Sequence, residues 1–152
     1  MFIGNKSVGK RTIINLLLEL KSLPITSNNS IESIIKKGKL VTPTGIYNAL
    51  LISTTPDLVS SGKHNSFIQN SNLIIFVVTK FRDMLACKKL VNTLKELSPY
   101  TGFCVIANKQ DLEDTLNPTA AMKFFDLPTI GISAIITEHR EALLNFISEF
   151  LK

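Results

Sequence analysis

The first residues with recognisable chemistry are two glycines, a lysine and two small polar residues near the amino terminus. Residues 4–12 read GNKSVGKRT, close to the spacing G-x-x-x-x-G-K-[ST]. Glycines let the backbone curl so that its N–H groups point at an anion, and a lysine adds positive charge. A helical pattern follows, whose amino-terminal end is also positive. The pattern predicts a phosphate-binding loop; a simple glycine turn is the alternative. The candidate residues are Gly4, Asn5, Lys6, Ser7, Val8, Gly9, Lys10, Arg11 and Thr12.

The last position of this pattern departs from the consensus. Arg11 stands where Ser or Thr would hold Mg²⁺, and Thr12 comes one residue later. One hypothesis is that the Arg11 guanidinium partly replaces the metal by neutralising phosphate charge. The alternative is that Arg11 points to solvent and Thr12 takes the ligand position. Both interpretations stay open at the level of sequence.

A second polar motif, Asn108-Lys109-Gln110-Asp111, follows the apolar run of residues 103–107. Guanine presents N1–H and N2–H₂ side by side, and one carboxylate, that of Asp111, can accept both; adenine cannot satisfy it. Lys109 could lay its stem along the base, and Asn108 could tie this loop to the phosphate-binding loop. The alternative is an ordinary polar turn between a strand and a helix.

A third, weaker motif is Gly131-Ile132-Ser133-Ala134, at the end of the last expected strand. The backbone N–H groups of Ser133 and Ala134 could meet the O6 atom of guanine. A plain strand end is the alternative.

The elements that must position these residues alternate along the chain. Period-2 and apolar runs predict strands at residues 2–3, 31–40, 46–54, 73–78, 103–107 and 129–134. Helical spacing predicts helices at residues 10–21, 86–97, 118–125 and 140–151, with loops at 23–30 and 57–65. This order predicts a single α/β domain over residues 1–152, with helices on both faces of the sheet. The first strand is short, so either residues precede Met1 or this strand is stunted.

Composition narrows the class of protein. Hydrophobic residues make up 45% and charged residues 19% of the 152, as in ordinary compact domains. No apolar stretch is long enough to span a bilayer, and neither a leader peptide nor a lipidation signal is visible. Cys87 and Cys104 lack metal-ligand spacing, which predicts free buried thiols in a reducing, cytoplasmic setting. The net charge of +5 comes from scattered lysines, which favours a solvated surface over a nucleic-acid interface.

With these motifs in place, the chain resembles a Ras-like small GTPase over nearly its whole length. The letters IIFVVT and ANKQDL resemble most the ADP-ribosylation-factor branch. The resemblance implies the fold of P-loop NTPases in its small G-domain form, with a mostly parallel six-stranded sheet. It also implies GDP/GTP binding and two switch loops. By the same resemblance, Thr26 falls where the first switch threonine belongs; the alternative is a loop threonine with no special role.

The departures from this family lie on the side of the metal and of hydrolysis. The family's Asp-x-x-Gly-Gln is replaced by Thr54-Thr55-Pro56-Asp57-Leu58. A threonine in the aspartate position is similar to the bacterial polarity GTPases of the MglA type, whose regulators have the roadblock fold. That comparison makes a roadblock-fold protein a candidate partner. It does not explain Asp57, because MglA-type proteins keep the glycine.

Together these features predict a guanine-nucleotide-binding, GTPase-like regulatory switch with weak or no GTP hydrolysis. Mg²⁺ is a candidate cofactor whose usual ligands are missing, and its candidate ligands are Thr12, Thr26 and Thr54. The alternative is a pseudo-GTPase, a protein-interaction module on the same fold that needs no nucleotide. An ATP-using enzyme is disfavoured because Asp111 selects guanine.

Overall fold

A mixed sheet lies at the centre of the computed structural model, which describes residues 1–20 and 33–151. Within those residues the strands are β1 (Phe2–Ile3), β2 (Ile34–Thr42), β3 (Gly45–Thr54), β4 (Leu73–Val78), β5 (Gly102–Ala107) and β6 (Thr129–Gly131). Their order across the sheet is β2-β3-β1-β4-β5-β6. Only the β2–β3 pair is antiparallel among these neighbours. The expected six-stranded, mostly parallel sheet is therefore confirmed.

Helices cover both faces of this sheet. They are α1 (Lys10–Leu17), α2 (Pro56–Ser60), α3 (Asn65–Gln69), α4 (Phe81–Leu97), α5 (Pro118–Phe125) and α6 (His139–Ser148). All six residues of β4 are buried, and successive residues alternate between two separate apolar clusters. One cluster includes Leu94 of α4 and Phe125 of α5. The other includes Ile13 of α1 and Leu143 of α6. A strand covered on both faces reads as a continuous apolar run, as LIIFVV does.

The central strand β1 has two residues, which confirms that it is short. Phe2 still pairs with Ser53 on one side and Ile75 on the other. The ladder then ends where Gly4 donates its N–H to the carbonyl oxygen of Thr54 at 3.3 Å. A Cβ atom on Gly4 would collide with the carbonyl oxygen of Val77, so the close approach of the chain to β4 at this position requires a glycine.

Several predicted boundaries differ from the structure. Helix α1 ends at Leu17 rather than at residue 21, since Glu19 has φ +54°. Residues 57–65, predicted as a loop, contribute to α2 and α3; α2 begins with Pro56, a residue suited to a first helical turn. Strand β6 ends at Gly131, three residues before the predicted end at residue 134. Helix α4 begins at Phe81 instead of residue 86, because Asp83 caps its first turn.

The other predicted boundaries shift by a few residues or lie elsewhere. Helix α6 spans His139–Ser148 rather than residues 140–151. Strand β2 spans Ile34–Thr42, and the predicted residues 31 and 32, like the predicted loop at 23–30, lie outside the described residues. Helix α5 and strand β4 have the predicted bounds.

The two cysteines are free and buried, as predicted. Burial raises the pKa of both thiols, and that of Cys87 reaches about 12. Both side chains therefore act as small apolar groups at neutral pH. In the described part of the chain, no helix has both the length and the apolar character needed to cross a membrane.

Candidate functional site

The three sequence motifs meet at one edge of the sheet. The loop after β1 carries residues 4–9, the loop after β5 begins with Asn108, and Ser133 and Ala134 follow β6. These strands run parallel, so their carboxyl ends lie on the same edge. In open α/β sheets ligands bind beyond these carboxyl ends, where the connecting loops diverge.

The loop at residues 4–9 closes around the side chain of Lys10. The Lys10 ammonium donates hydrogen bonds to the carbonyl oxygens of Gly4 and Asn5, each at 2.7 Å. Ser7 and Gly9 have positive φ, +66° and +95°. These turns bend the backbone back on itself just before α1 begins at Lys10. The expected glycine loop between a strand and a helix is therefore present.

Lys10 is half-buried, and this affects its charge. Burial lowers the pKa of Lys10 to about 8, while Cys87 and Asp83 oppose the shift. Its proton is therefore held less tightly than that of an exposed lysine. A phosphate placed at this loop would favour the charged form.

Asn108 joins the three loops. Its side chain is 2% exposed; its amide Nδ2 donates to the carbonyl oxygen of Val8 at 2.9 Å. Its Oδ1 accepts the N–H of Ala134 at 3.0 Å. The Asn108 side chain therefore ties its loop to the loop at residues 4–9, as expected. A Cβ atom on Gly9 would collide with the same amide, so only glycine fits at position 9.

The residues expected to recognise a base follow Asn108. Lys109 has φ +64°, a left-handed conformation that turns the chain sharply after β5. Asp111 is exposed, so its carboxylate is open to a ligand. Gln110 donates its backbone N–H to the carbonyl oxygen of Ile132 at 3.1 Å, which holds this loop against the segment after β6.

The segment after β6 is held by protein contacts. Ser133 donates its backbone N–H to Nδ1 of His139 at 2.8 Å, and the Ala134 N–H is bound to Asn108. Either N–H would have to exchange its protein acceptor for a base in order to contact O6. The Ser133 hydroxyl is buried and has no partner among the described residues.

The candidate metal ligands are neutral hydroxyls. Thr12 is half-buried in α1; Thr54 is fully buried, and its Oγ1 has no partner within residues 1–20 and 33–151. Thr26 lies outside the described residues. No cluster of three or more His, Cys, Asp or Glu able to hold a metal occurs in the described chain. Protein-bound Mg²⁺ usually has one or two carboxylates near it. The described residues therefore do not fit a protein-held Mg²⁺.

The three remaining residues that differ from the family's sequence pattern are exposed or half-buried. Arg11 is exposed in the first turn of α1. Asp57 is exposed in the first turn of α2, and Leu58 beside it is half-buried. An exposed carboxylate at position 57 adds negative charge near the end of β3, where a phosphate-sensing loop would need none.

Two residues of the site were not found from the sequence. Asp83 is 2% exposed, and its Oδ1 accepts a hydrogen bond from Nδ2 of Asn5 at 2.8 Å. His139 holds Ser133, as described above. The signal for Asp83 was an acidic residue in the first turn of a helix, a common N-terminal feature. His139 precedes the expected helix by one residue and has no comparable signal.

Two cavities differ in their relation to these residues. One of about 520 Å³ opens beside the loop at residues 4–9 and is lined by Lys6, Asp83 and Lys109 among others. A larger one of about 650 Å³ lies at the amino ends of the strands and is lined by Leu73 and Tyr100, among others. Among residues 1–20 and 33–151, none of the predicted site residues lines the larger cavity. The smaller cavity is therefore the one that adjoins the predicted site residues.

Two comparisons with known proteins find no relative for this chain. No protein-family model matches it, and a search of curated proteins finds no match. A function is therefore inferred from the site residues and their geometry.

Proposed function

We propose that the protein binds guanine nucleotides through a small G domain of the P-loop NTPase type and acts as a regulatory switch with weak or no GTP hydrolysis. The observation that carries this proposal is the Asn108 side chain, which joins Val8, in the loop at residues 4–9, to Ala134. A generic polar turn has no reason to bury an amide between two other loops. A nucleotide that spans a phosphate site and a base site needs such a brace.

The phosphate end of the ligand would meet the loop of residues 4–9 and the ammonium of Lys10. The Lys10 side chain already lies against Gly4 and Asn5, so its charge is directed at the concave side of the loop. Backbone N–H groups and the start of α1 would add favourable dipoles. At the other end, Asp111 would accept the two adjacent N–H groups of guanine.

Hydrolysis is proposed to be weak because the residues that would assist it differ from those of the family. Thr54 has a neutral hydroxyl where the family has the metal-orienting carboxylate, and Leu58 cannot position a water. Asp57 adds a carboxylate that repels a γ-phosphate. Intrinsic hydrolysis in this class is already slow, about 10⁻⁴ to 10⁻³ s⁻¹. By the resemblance to MglA-type proteins, a roadblock-fold regulator is the proposed partner.

A second candidate function is a nucleotide-free interaction module on the same fold. Two observations favour it. The N–H groups of Ser133 and Ala134, which would contact O6, are bound to His139 and Asn108. Asp57, near the end of β3, would repel a γ-phosphate. In this alternative, the hydrogen bonds of Asn108 only stabilise the fold.

The direct test is binding of fluorescent GDP and GTP analogues to the purified protein, with Mg²⁺ and with EDTA. An ATP analogue tests selectivity for the base, and the variant Asp111→Ala tests the proposed base contact. Because the Asp111 side chain is exposed, this variant should fold normally. Guanine-selective binding that Asp111→Ala removes is the expected result. Absence of nucleotide binding would overturn the proposal and leave the interaction module. Tighter binding with Mg²⁺ would show that a metal is held despite the missing carboxylates.

A further inference from the structure

Asp83 is a buried carboxylate that contacts the phosphate-binding loop from another element. It lies in the first turn of α4 and is 2% exposed. Its Oδ1 accepts a hydrogen bond of 2.8 Å from Nδ2 of Asn5, 78 positions earlier in the chain. Asn5 is itself part of the loop at residues 4–9. The contact therefore links α4 directly to the candidate phosphate site.

The two oxygens of Asp83 serve different neighbours. Oδ2 accepts hydrogen bonds from the Thr79 N–H at 3.0 Å, the Thr79 hydroxyl at 2.8 Å and the Lys80 N–H at 2.9 Å. These three bonds anchor the carboxylate on the turn between β4 and α4. Oδ1 is left for Asn5. Capping the helix therefore accounts for only one of the two oxygens.

Asn5 is held from two sides. Asp83 binds its side chain, and the Lys10 ammonium binds its carbonyl oxygen at 2.7 Å. The loop is thereby fixed between the start of α4 and the start of α1. Burial by itself raises the pKa of the Asp83 carboxyl, but hydrogen bonds from Asn5 and from the β4–α4 turn outweigh burial and hold the pKa below its ordinary value. The group is ionised at neutral pH, which strengthens the bond to Asn5.

We propose that Asp83 is a positioning residue that holds the phosphate-binding loop in its closed shape through Asn5. Asp83 does not touch the ligand. It fixes the backbone whose N–H groups and lysine would do so. A preformed loop loses less conformational entropy when an anion binds. The consequence for affinity rests on the proposed function, whereas the effect on the loop does not.

The test exchanges the two partners. Asn5→Ala removes the bond and leaves the three bonds to Oδ2 intact. Asn5→Asp sets two carboxylates against each other. The double variant Asn5→Asp with Asp83→Asn restores one donor and one acceptor in reversed order, and its remaining oxygen can still accept from the turn. Thr79→Val is the matched control, because it removes one bond to Oδ2 without touching Asn5.

The first readout is amide hydrogen exchange of residues 4–9 in the nucleotide-free protein. Exchange is expected to rise about tenfold in Asn5→Ala, the effect of losing one hydrogen bond to a charged group, and more in Asn5→Asp. It should return close to the wild-type rate in the double variant and stay there in Thr79→Val. Exchange that is unchanged in Asn5→Ala, or that rises equally in Thr79→Val, would overturn the proposal.

The second readout separates this proposal from nucleotide binding itself. Competition with a fluorescent GDP analogue measures affinity for GDP and for guanosine, which has the base but no phosphate. Asn5→Ala should weaken GDP about tenfold and guanosine little, because the bond acts on the phosphate end. Equal weakening of both would contradict a role in positioning the phosphate loop. If the wild type binds neither, the proposed function fails, and hydrogen exchange alone decides the role of Asp83.

Discussion

The ammonium group of Lys10 lies 2.7 Å from the carbonyl oxygen of Gly4, the first residue of the loop that Lys10 follows. The lysine is held there half-buried, and burial lowers its pKa to about 8. An exposed lysine would keep its proton well above pH 9. The charge that would bind a phosphate is therefore sensitive to pH in a range that is easy to measure.

Affinity for GDP should decrease as pH rises through about 8. Free Lys10 loses its proton there, whereas a bound phosphate would raise its pKa and hold the proton. Binding above that pH must therefore include proton uptake, and affinity falls by up to about tenfold per pH unit. Titrating affinity between pH 6.5 and 9 checks this. Lys10→Arg is the control, because its charge does not change over that range. A parallel decrease in both proteins would place the titrating group elsewhere.

Stability of the free protein should change in the opposite direction. The Lys10 pKa is lower in the folded state than the value of 10.5 of an unperturbed lysine. Between the two values Lys10 binds more protons in the unfolded chain, so its contribution to the free energy of unfolding rises with pH. The raised pKa values of the two buried thiols act in the opposite direction, in the wild type and in Lys10→Met alike. Urea unfolding at pH 7.5 and 9.5 should show a larger increase for the wild type than for Lys10→Met. An equal pH dependence in both would contradict the shifted pKa.

Replacing Asn108 with alanine should destabilise the fold by about 2–4 kcal/mol. The change leaves the carbonyl oxygen of Val8 and the N–H of Ala134 without their buried partner. Asn92→Ala is the matched control, since Asn92 is exposed on α4 and alanine favours helix. Urea unfolding measures both variants. If Asn108→Ala lowered the free energy of unfolding by less than Asn92→Ala, Asn108 would not be holding the two loops together.

Gly9→Ala should cost more stability than Gly62→Ala. Both glycines have positive φ, +95° and +77°, so both substitutions carry a backbone cost of about 1–2 kcal/mol. A Cβ on Gly62 would lie 3.6 Å from its nearest neighbour, the amide of Asn65, an ordinary contact. A Cβ on Gly9 would collide with Asn108. Thermal unfolding of the two variants separates strain from collision, and equal losses would mean that Asn108 moves aside freely.

Arg140→Ala should destabilise the protein by about 2–3 kcal/mol. The guanidinium donates to the carbonyl oxygens of Leu16 and Leu17 at 3.0 and 3.1 Å, at the carboxyl end of α1. Such charge-assisted bonds are worth about 1.5–3 kcal/mol. Glu19→Ala removes only the ion pair to Arg140, whose glutamate side chain is 71% exposed, and should cost little. If both variants lost the same free energy of unfolding in urea, the ion pair would account for the effect of Arg140, and its hydrogen bonds to the end of α1 would not.

Elements with strong patterns were predictable from the sequence. Strand β4 is a continuous apolar run, and α5 begins with a proline; both have the bounds that these patterns predict. The helix after the loop at residues 4–9 was placed correctly at its start. Its end was not, because Glu19 takes a left-handed conformation that no local signal indicates.

Most contacts between distant residues could not be predicted. Asn108 was expected to meet the phosphate-binding loop only because the two motifs belong together. Asp83 and Arg140 look like ordinary surface charges in the sequence, yet their partners lie 78 and more than 120 positions away. Such pairings depend on which loops the sheet order brings to one edge. The short helices α2 and α3 were missed because each spans only five residues, which is too short to show a helical period.

The most direct test of the central claim is to change the base preference at Asp111. Asparagine at this position presents one donor and one acceptor, which matches the N1–H and C2 carbonyl of xanthine instead of the two donors of guanine. Asp111→Asn should therefore lose at least about a hundredfold in GDP affinity and gain affinity for xanthosine diphosphate. Unchanged GDP binding in this variant, or no binding of GDP by the wild type, would contradict the account of a guanine-nucleotide site.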